Sequence, residues 1–230
     1  MKIKKGMILA AGFGKRLQPL TKNCPKPLLE VHGTKLLEYS IKFLLDNGIS
    51  EIIVNTHYLH EQVNEFIKKH YPNIAISHEL EILDTGGGIL NALSFFKNEN
   101  FIVLNSDTVW VKNYSNDLKK LIHIFEQGKN KAALMLATKE NSFDKNLQGD
   151  FDINNFNFLT KSIKNYIYTG CQILNPIIFK NKTGIFSMNI IWDELIKEDS
   201  LNGLISSVPF LHATDLNIYN QLNSSKTIGL

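Results

Sequence analysis

Short, continuous apolar runs alternate with stretches of helical period over the first half of the chain. Such runs are typical of strands that are buried on both faces of a sheet. They lie at residues 7–11, 51–54, 101–104 and 132–137, with a weaker one at 74–76. Between the runs, apolar residues recur on one helical face, as at Leu37, Ile41 and Leu44. Right-handed crossovers through these helices predict an α/β, Rossmann-like fold with a mostly parallel mixed sheet flanked by helices.

The pattern changes near residue 143, where strand-like runs become short and are interrupted by Asn and Gly. Residues 149–155 and 166–170 are of this kind, and helices are predicted around 189–198 and 215–222. We therefore predict a single domain over residues 1–230. Its core covers about residues 1–140, and a smaller lobe with the C-terminal helix covers about residues 141–222.

Composition narrows the class of protein only broadly. The chain has 230 residues, 43% hydrophobic and 20% charged, which fits one large globular domain. Its net charge of +3 is spread along the sequence, so we expect no nucleic-acid partner. The first apolar run is too short for a signal peptide or a membrane span, and Cys24 and Cys171 have no metal-ligand spacing. We expect a cytoplasmic protein with reduced thiols and no membrane partner.

A glycine-rich run and two cations form the strongest chemical signal. The run LAAGFGKRL includes the end of the first predicted strand and is followed closely by PKPL. Gly12 and Gly14 let backbone N–H groups approach phosphate oxygens, because no Cβ lies in the way. Arg16 offers a planar fork of donors and Lys26 a compact charge between two prolines, so both can oppose phosphate charge. An ordinary glycine turn beside solvated cations is the alternative, and the combined spacing makes it less favoured.

Other nucleotide-binding and metal-binding motifs do not fit this sequence. Leu17 stands where the dinucleotide motif GxGxxG needs its third glycine, which disfavours hydride transfer. A GxxxxGK[ST] motif does not occur, which disfavours a P-loop ATPase. His57 and His60 resemble half of a metal site but have no third ligand nearby in sequence. We interpret them as solvated or half-buried side chains.

Two further segments place polar groups near predicted strand ends. The glycines at 86–88 follow Thr85 and let the backbone lie flat against a base or a ribose, although a flexible connector is the alternative. Asp107 follows the run at 101–104, at the edge where open α/β sheets bind ligands. Mg²⁺ prefers oxygen ligands and commonly takes one or two carboxylates, so we predict Asp107 as its ligand. A strand-end aspartate that caps the next turn is the other interpretation.

The glycine-rich run together with PKPL resembles the signature of the sugar-1-phosphate nucleotidyltransferase family. The resemblance covers about residues 5–222 and implies a GT-A-like fold, a core that binds a nucleoside triphosphate and a lobe that binds a sugar 1-phosphate. It implies that Arg16 and Lys26 are catalytic and that Mg²⁺ is the cofactor. The nucleotide-binding residues that it implies are Ala10, Ala11, Gly12, Gly14, Lys15, Glu79, Thr85 and Gly86. The sugar-binding residues that it implies are Gly87, Asn105, Asp150, Lys161, Thr169 and Gly170.

Several of these positions allow another interpretation or depart from the family. Asp150 could be a turn residue, Lys161 a solvated charge and Gly170 a strand bulge. His212 stands where most members have an aspartate that binds a second metal ion, and the Gly-Thr that follows in them is altered here. Histidine is a poorer ligand for Mg²⁺ than a carboxylate. We therefore expect His212 to bind metal, to contact phosphate or merely to complete the fold.

The expected reaction joins a nucleoside monophosphate from a triphosphate to a sugar 1-phosphate and releases pyrophosphate. By resemblance, UTP with N-acetylmuramate 1-phosphate, a substrate of cell-wall sugar recycling, comes first, and GTP with mannose 1-phosphate second. The altered residues around His212 leave a non-catalytic nucleotide-sugar sensor open. A metal-dependent glycosyltransferase usually needs Asp-x-Asp, whereas Asn105 and Asp107 supply one acid. We expect a monomer or a small homo-oligomer.

Overall fold

A computed structural model describes residues 3–127 and 130–225, and these residues form eleven strands and six α-helices. The strands are β1 (Lys5–Leu9), β2 (Glu30–Val31), β3 (Thr34–Lys35), β4 (Glu51–Thr56), β5 (Ala75–His78), β6 (Phe101–Asn105), β7 (Ala132–Thr138), β8 (Asp152–Ile153), β9 (Leu159–Thr160), β10 (Tyr166–Leu174) and β11 (Leu201–Ser206). The helices are α1 (Leu36–Asp46), α2 (His60–His70), α3 (Asp84–Asn91), α4 (Tyr114–Glu126), α5 (Met188–Lys197) and α6 (Leu216–Ser224). Of these helices, none is long and apolar enough to cross a bilayer.

Seven strands form one sheet in the order β11-β7-β10-β6-β1-β4-β5. Every neighbouring pair is parallel except the two that involve β10, which runs antiparallel to both β6 and β7. The predicted mostly parallel mixed sheet is therefore confirmed. β10 and β11 come from the C-terminal half of the chain, so this sheet crosses the predicted division near residue 140.

Helices cover both faces of the sheet, and neighbouring residues of one strand show how the core is divided. Ile8 packs in a cluster with residues of α1, α2 and α4, whereas Met7 packs in a second cluster with residues of α3 and α5. Both side chains are fully buried. Burying one such side chain stabilises the fold by about 1.5–3 kcal/mol. This packing fixes β1, whose carboxyl end carries the glycine-rich loop.

The first strand begins and ends earlier than the sequence predicts. The apolar run suggests residues 7–11, but β1 ends at Leu9. The backbone N–H of Ala10 donates a hydrogen bond to Asn55 Oδ1 at 2.8 Å. At Ala10 a side chain therefore accepts the bond that a neighbouring strand would otherwise accept.

The three consecutive glycines at residues 86–88 lie inside α3, so the alternative interpretation as a flexible connector is wrong. Glycine costs about 1 kcal/mol relative to alanine in a helix interior. Close packing explains its presence here. A Cβ at Gly86 would lie 2.3 Å from the Phe186 ring, and a Cβ at Gly88 would lie 2.6 Å from Glu79 Oε1.

Candidate active site

A cleft of about 650 Å³ opens where β1, β4 and β6 end. This is the edge at which open α/β sheets bind their ligands. The predicted site residues that line the cleft are Ala10, Ala11, Gly12, Gly14, Lys15, Arg16, Lys26, Glu79, Thr85, Asn105 and Asp107. The structure therefore brings the glycine-rich run, both cations and the strand-end acid to one cavity.

The glycine-rich loop is held from behind at Gly14 and open at Gly12. Gly14 has a φ of 62°, and its carbonyl accepts a hydrogen bond from the Thr21 hydroxyl at 2.9 Å. A Cβ at Gly14 would lie 2.9 Å from Thr21 Cγ2, so this position favours glycine for both its conformation and its contacts. At Gly12 a Cβ would meet nothing within 4 Å. The loop therefore presents its backbone to the cleft at Gly12, while Gly14 fixes its shape.

The two predicted catalytic cations differ in their surroundings. Arg16 is exposed on the cleft and makes no hydrogen bond or ion pair within residues 3–127 and 130–225. Lys26 is 13% exposed, and its Nζ lies 2.6 Å from Asp107 Oδ2. A free guanidinium and a paired ammonium thus face the same cavity, and the guanidinium is available to a phosphate.

Among the ionisable groups of the cleft, Asp107 interacts most strongly with its neighbours. Its Oδ2 accepts hydrogen bonds from Lys26 and from His212 Nε2, the latter at 3.0 Å. Burial raises the pKa of the Asp107 carboxyl, but the electrostatic interactions and hydrogen bonds with His212 and Lys26 outweigh it and hold the pKa well below its usual range. Asp107 is therefore a carboxylate at neutral pH.

The second oxygen of Asp107 fits a cation ligand. Oδ1 is buried and has no hydrogen-bond partner within the described residues, although buried polar atoms are normally paired. The described part of the chain holds no cluster of three or more His, Cys, Asp and Glu groups around a metal position. A hard cation at Oδ1 would take its other ligands from phosphate and water, as Mg²⁺ commonly does.

His212 is placed as a partner of Asp107 by both its backbone and its side chain. The backbones of Thr108 and His212 form an antiparallel bridge, and Ala213 N–H donates to the Asp107 carbonyl at 3.0 Å. The His212 ring contacts Asp107 through Nε2 and Thr214 Oγ1 through Nδ1, at 3.1 Å for the second contact. Both ring nitrogens of His212 are thus in contact with protein groups, and Nε2 holds the ring against the Asp107 carboxylate.

Gly86 and Gly87 lie in the first turn of α3, beside the segment that leads into α5. Both donate their backbone N–H groups to the Phe186 carbonyl, at 2.9 and 3.0 Å. The hydroxyl of Thr85 accepts a hydrogen bond from Met188 N–H at 2.9 Å. These bonds join α3 to the segment that leads into α5. Thr85 lines the cleft, while Gly86 and Gly87 support it from behind.

The predicted sugar-binding residues are dispersed, and most of their polar groups form hydrogen bonds or ion pairs within the protein. Lys161 Nζ lies 2.7 Å from Asp193 Oδ1, and the Thr169 hydroxyl donates to the Met135 carbonyl at 2.9 Å. Asp150 Oδ2 accepts a hydrogen bond from the backbone of Tyr168 at 2.8 Å. Of the predicted sugar-binding residues, Asn105 alone is part of the lining that the structure describes for the cleft.

Gly170 lies in an irregular part of β10. The register with β7 shifts between Tyr168 and Gln172, and Gly170 has a φ of 89°. A Cβ at Gly170 would lie 2.9 Å from the Cβ of Asn105. The bulge interpretation therefore describes its local structure, and the glycine allows β10 to approach the end of β6 closely.

Two further residues carry polar groups near these elements, and the sequence analysis missed the first of them, Asn55. Asn55, at the end of β4, lines the cleft and is 3% exposed. The only clue to Asn55 in the sequence is that it is a single amide side chain in the largely apolar run EIIVNT. Tyr168 has a buried hydroxyl with no hydrogen-bond partner within the described residues. Burial and then the nearby Cys171, Asp150 and Asp107 raise the pKa of this phenol.

Three features define a nucleotide-binding α/β enzyme. They are the sheet, the loop at the end of β1, and Asp107 with the cations Arg16 and Lys26. Comparison with known proteins gives the family. The nucleotidyl transferase family matches residues 5–144, and the chain belongs to this family.

Individual relatives extend the likeness beyond this segment. The chain is 28% identical to an N-acetylmuramate alpha-1-phosphate uridylyltransferase of Caulobacter vibrioides over 223 residues, 92% of each chain. It is 35% identical to a D-glycero-alpha-D-manno-heptose 1-phosphate guanylyltransferase of Campylobacter jejuni over 144 residues, 61% of this chain and 60% of the relative. The crystal structure of HddC from Yersinia pseudotuberculosis complexed with GMP-PN matches with a TM-score of 0.77 and 23% identity, over 96% of this chain and 98% of that chain. At this identity the structural match concerns the fold.

Proposed function

We propose that the protein transfers a nucleoside monophosphate from a nucleoside triphosphate to a sugar 1-phosphate and releases pyrophosphate. The observation that carries this proposal is the convergence of Arg16, Lys26 and Asp107 on the cleft beside the glycine-rich loop. Backbone donors and two cations suit a triphosphate, and the strand-end acid suits its counter-ion. Family membership supports the same class of reaction.

In this reaction a phosphate oxygen of the sugar 1-phosphate attacks the α-phosphorus of the triphosphate in line. The bond from the α-phosphorus to the oxygen that bridges to the β-phosphate breaks, and pyrophosphate leaves with the electron pair. The nucleophile is already anionic, so no general base is needed. Arg16 and Lys26 hold the phosphates and oppose their charge, and catalysis consists of alignment and electrostatic stabilisation.

We further propose that Asp107 would hold Mg²⁺ through Oδ1, together with phosphate oxygens. When bound, this ion neutralises phosphate charge and helps to orient the reacting groups. Lys26 and His212 both bind Oδ2 and so hold the carboxylate in place, which leaves the buried Oδ1 without a partner in the described residues. Such partners behind a metal ligand commonly tune its affinity. His212 thereby gains a supporting role in place of a second metal ligand.

For the substrates, UTP with N-acetylmuramate 1-phosphate is our first candidate and GTP with a mannose-type sugar 1-phosphate the second. The relative that matches over 92% of both chains favours the first pair. The heptose 1-phosphate guanylyltransferase, at higher identity over a shorter stretch, supports the second. The two free cysteines suit a cytoplasmic setting, where both substrates would be made.

The test is a panel of the four nucleoside triphosphates against several sugar 1-phosphates, with Mg²⁺, read out by pyrophosphate release and by mass spectrometry of the product. We expect release that needs both substrates and stops with a chelator, fastest with UTP and N-acetylmuramate 1-phosphate. Tight nucleotide binding without pyrophosphate in any combination would instead identify a sensor and refute the enzymatic proposal.

A further inference from the structure

A buried chain of three hydrogen bonds runs between two walls of the cleft. The backbone N–H of Ala10 donates to Asn55 Oδ1 at 2.8 Å, and Asn55 Nδ2 donates to Glu79 Oε1 at 2.7 Å. The backbone N–H of Leu83 donates to Glu79 Oε2 at 3.1 Å. Asn55 is 3% exposed and Glu79 is 2% exposed. This chain, from Ala10 to Leu83, is called the brace below.

The direction of each hydrogen bond in the brace is fixed. The backbone of Ala10 offers a donor, so the amide oxygen of Asn55 must face it and the amide nitrogen must face Glu79. Both carboxylate oxygens of Glu79 are then used by donors from the protein. Hydrogen bonds to a charged group are stronger than neutral ones, and buried groups are costly to leave unpaired.

Helix α3 packs directly against the brace. A Cβ at Gly88 would lie 2.6 Å from Glu79 Oε1 and 2.9 Å from Asn55 Nδ2. The backbone of Glu79 is also fixed, because its N–H donates to the Thr56 carbonyl at 2.8 Å and its carbonyl lies 2.9 Å from His57 Nδ1. Protein atoms therefore pack closely against the two side chains on the side of α3, while both residues border the cleft on another side.

The two ends of the brace belong to different parts of the site. Ala10 is the first residue of the glycine-rich loop, which leads to Gly12 and Arg16. Leu83 directly precedes α3, which carries Thr85 into the cleft. The brace thus ties the phosphate-binding wall to the wall that faces it across the cavity.

We propose that Asn55 and Glu79 are positioning residues that hold these two walls at the separation that a nucleoside triphosphate requires. Glu79 acts through Asn55 and the two backbones, and its carboxylate does not serve as a direct contact to the nucleotide. This inference rests on the proposed function in one respect, that the cleft binds a nucleoside triphosphate.

The decisive test exchanges the amide and the carboxylate that form the hydrogen bond between Asn55 and Glu79. Asn55→Asp leaves two carboxylates facing each other, and Glu79→Gln leaves an amide whose two ends cannot satisfy both neighbours. The double variant Asn55→Asp/Glu79→Gln restores all three bonds: the carboxylate now at position 55 accepts from Ala10 and from the amide now at position 79, whose oxygen accepts from Leu83. Its net charge equals that of the original chain.

We expect each single variant to raise the Kd and the KM for the nucleoside triphosphate by at least about tenfold, because one charge-assisted hydrogen bond is lost. We expect the KM for the sugar 1-phosphate to change less than about twofold. The double variant should return to within about threefold of the original Kd, as expected for two residues that are coupled. Glu81→Gln is the matched control: it removes the same charge two residues away on an exposed side chain and should change neither constant.

Two measurements on all variants separate the outcomes. Calorimetry gives the Kd for UTP and GTP, and thermal unfolding shows whether each variant folds. A folded double variant that binds as weakly as Glu79→Gln would show that the Glu79 carboxylate contacts the nucleotide, and would overturn the inference. Single variants with the original Kd, or a double variant that fails to fold, would overturn it as well. If the original chain binds nucleotide but releases no pyrophosphate with any sugar 1-phosphate, the proposed reaction fails, while these binding constants still decide the role of the brace.

Discussion

The residues predicted to bind the nucleotide and those predicted to bind the sugar 1-phosphate, called here the nucleotide side and the acceptor side, use their polar groups differently. Within the described residues of the nucleotide side, Arg16 makes no hydrogen bond or ion pair, a Cβ at Gly12 would meet no atom within 4 Å, and the buried Oδ1 of Asp107 has no partner. On the acceptor side, Lys161 is paired with Asp193, and the Thr169 hydroxyl bonds to the backbone. Arg16 and the backbone at Gly12 are therefore available to a ligand, whereas Lys161 and the Thr169 hydroxyl are bonded within the protein.

The difference follows from where each side lies on the sheet. The nucleotide side is built from residues at the ends of strands β1, β4 and β6. These strands are parallel, so their carboxyl ends lie at the same edge of the sheet. The acceptor side depends on β10, which is antiparallel and bulged, and on the loops before it. Residues that are contiguous at a strand end are placed by local structure, while those around β10 are placed by long-range packing.

The largest effect that tests this contrast is expected from Asp107→Asn. The change removes the proposed metal ligand and leaves Lys26 and His212 facing a neutral group. We expect kcat/KM to fall by at least about 10³-fold, since metal neutralisation of phosphate charge contributes several kcal/mol. This fall in kcat/KM is measured as the rate of pyrophosphate release over a titration with magnesium. Asp150→Asn, which changes a carboxylate on the acceptor side, should have a far smaller effect. Equal losses in the two variants would remove the contrast.

Arg16→Ala should follow, with a loss of about 2–4 kcal/mol of transition-state stabilisation, which is roughly 30- to 1000-fold in kcat/KM. The guanidinium makes no bond in the described residues, so its removal should leave the melting temperature unchanged. Lys22→Ala, which removes an exposed cation that does not line the cleft, is the control. Unchanged turnover in Arg16→Ala would refute its catalytic assignment.

The sequence could predict the nucleotide side because its signals are local. Apolar runs located the parallel strands to within a few residues, and glycines with nearby cations located a loop that lines the cleft. The same reasoning gave the wrong setting for residues 86–88, because the closeness of Phe186 to Gly86 is a contact between distant segments. It also left the role of His212 open, since the bond from His212 to Asp107 joins residues far apart in sequence.

Tyr168→Phe tests whether the acceptor side has any group held ready for substrate. The buried hydroxyl has no partner in the described residues, so we expect the change to leave stability intact or slightly higher. If the hydroxyl binds the sugar 1-phosphate, the KM for this substrate should rise about 3- to 10-fold, the value of one hydrogen bond. The KM for the triphosphate should stay constant. A rise confined to the triphosphate would assign Tyr168 to the nucleotide side.

The smallest effect is expected from Lys161→Ala. Lys161 and Asp193 form a partly exposed ion pair, with side chains 24% and 53% exposed, and such pairs are worth about 0–1 kcal/mol. We expect the free energy of unfolding to fall by no more than this and the KM for the sugar 1-phosphate to stay within about twofold. Asp193→Asn is the matched variant, because it breaks the same pair and keeps the lysine.

The pair of variants decides between two states of Lys161. If the ion pair is purely structural, the two changes have the same small effect on unfolding and none on catalysis. If Lys161 leaves Asp193 to bind the substrate phosphate, Lys161→Ala raises the KM for the sugar 1-phosphate well above twofold. Asp193→Asn then lowers this KM, because the lysine no longer has to be released. That result would make the acceptor side a site assembled by its ligand, in contrast to the preformed nucleotide side.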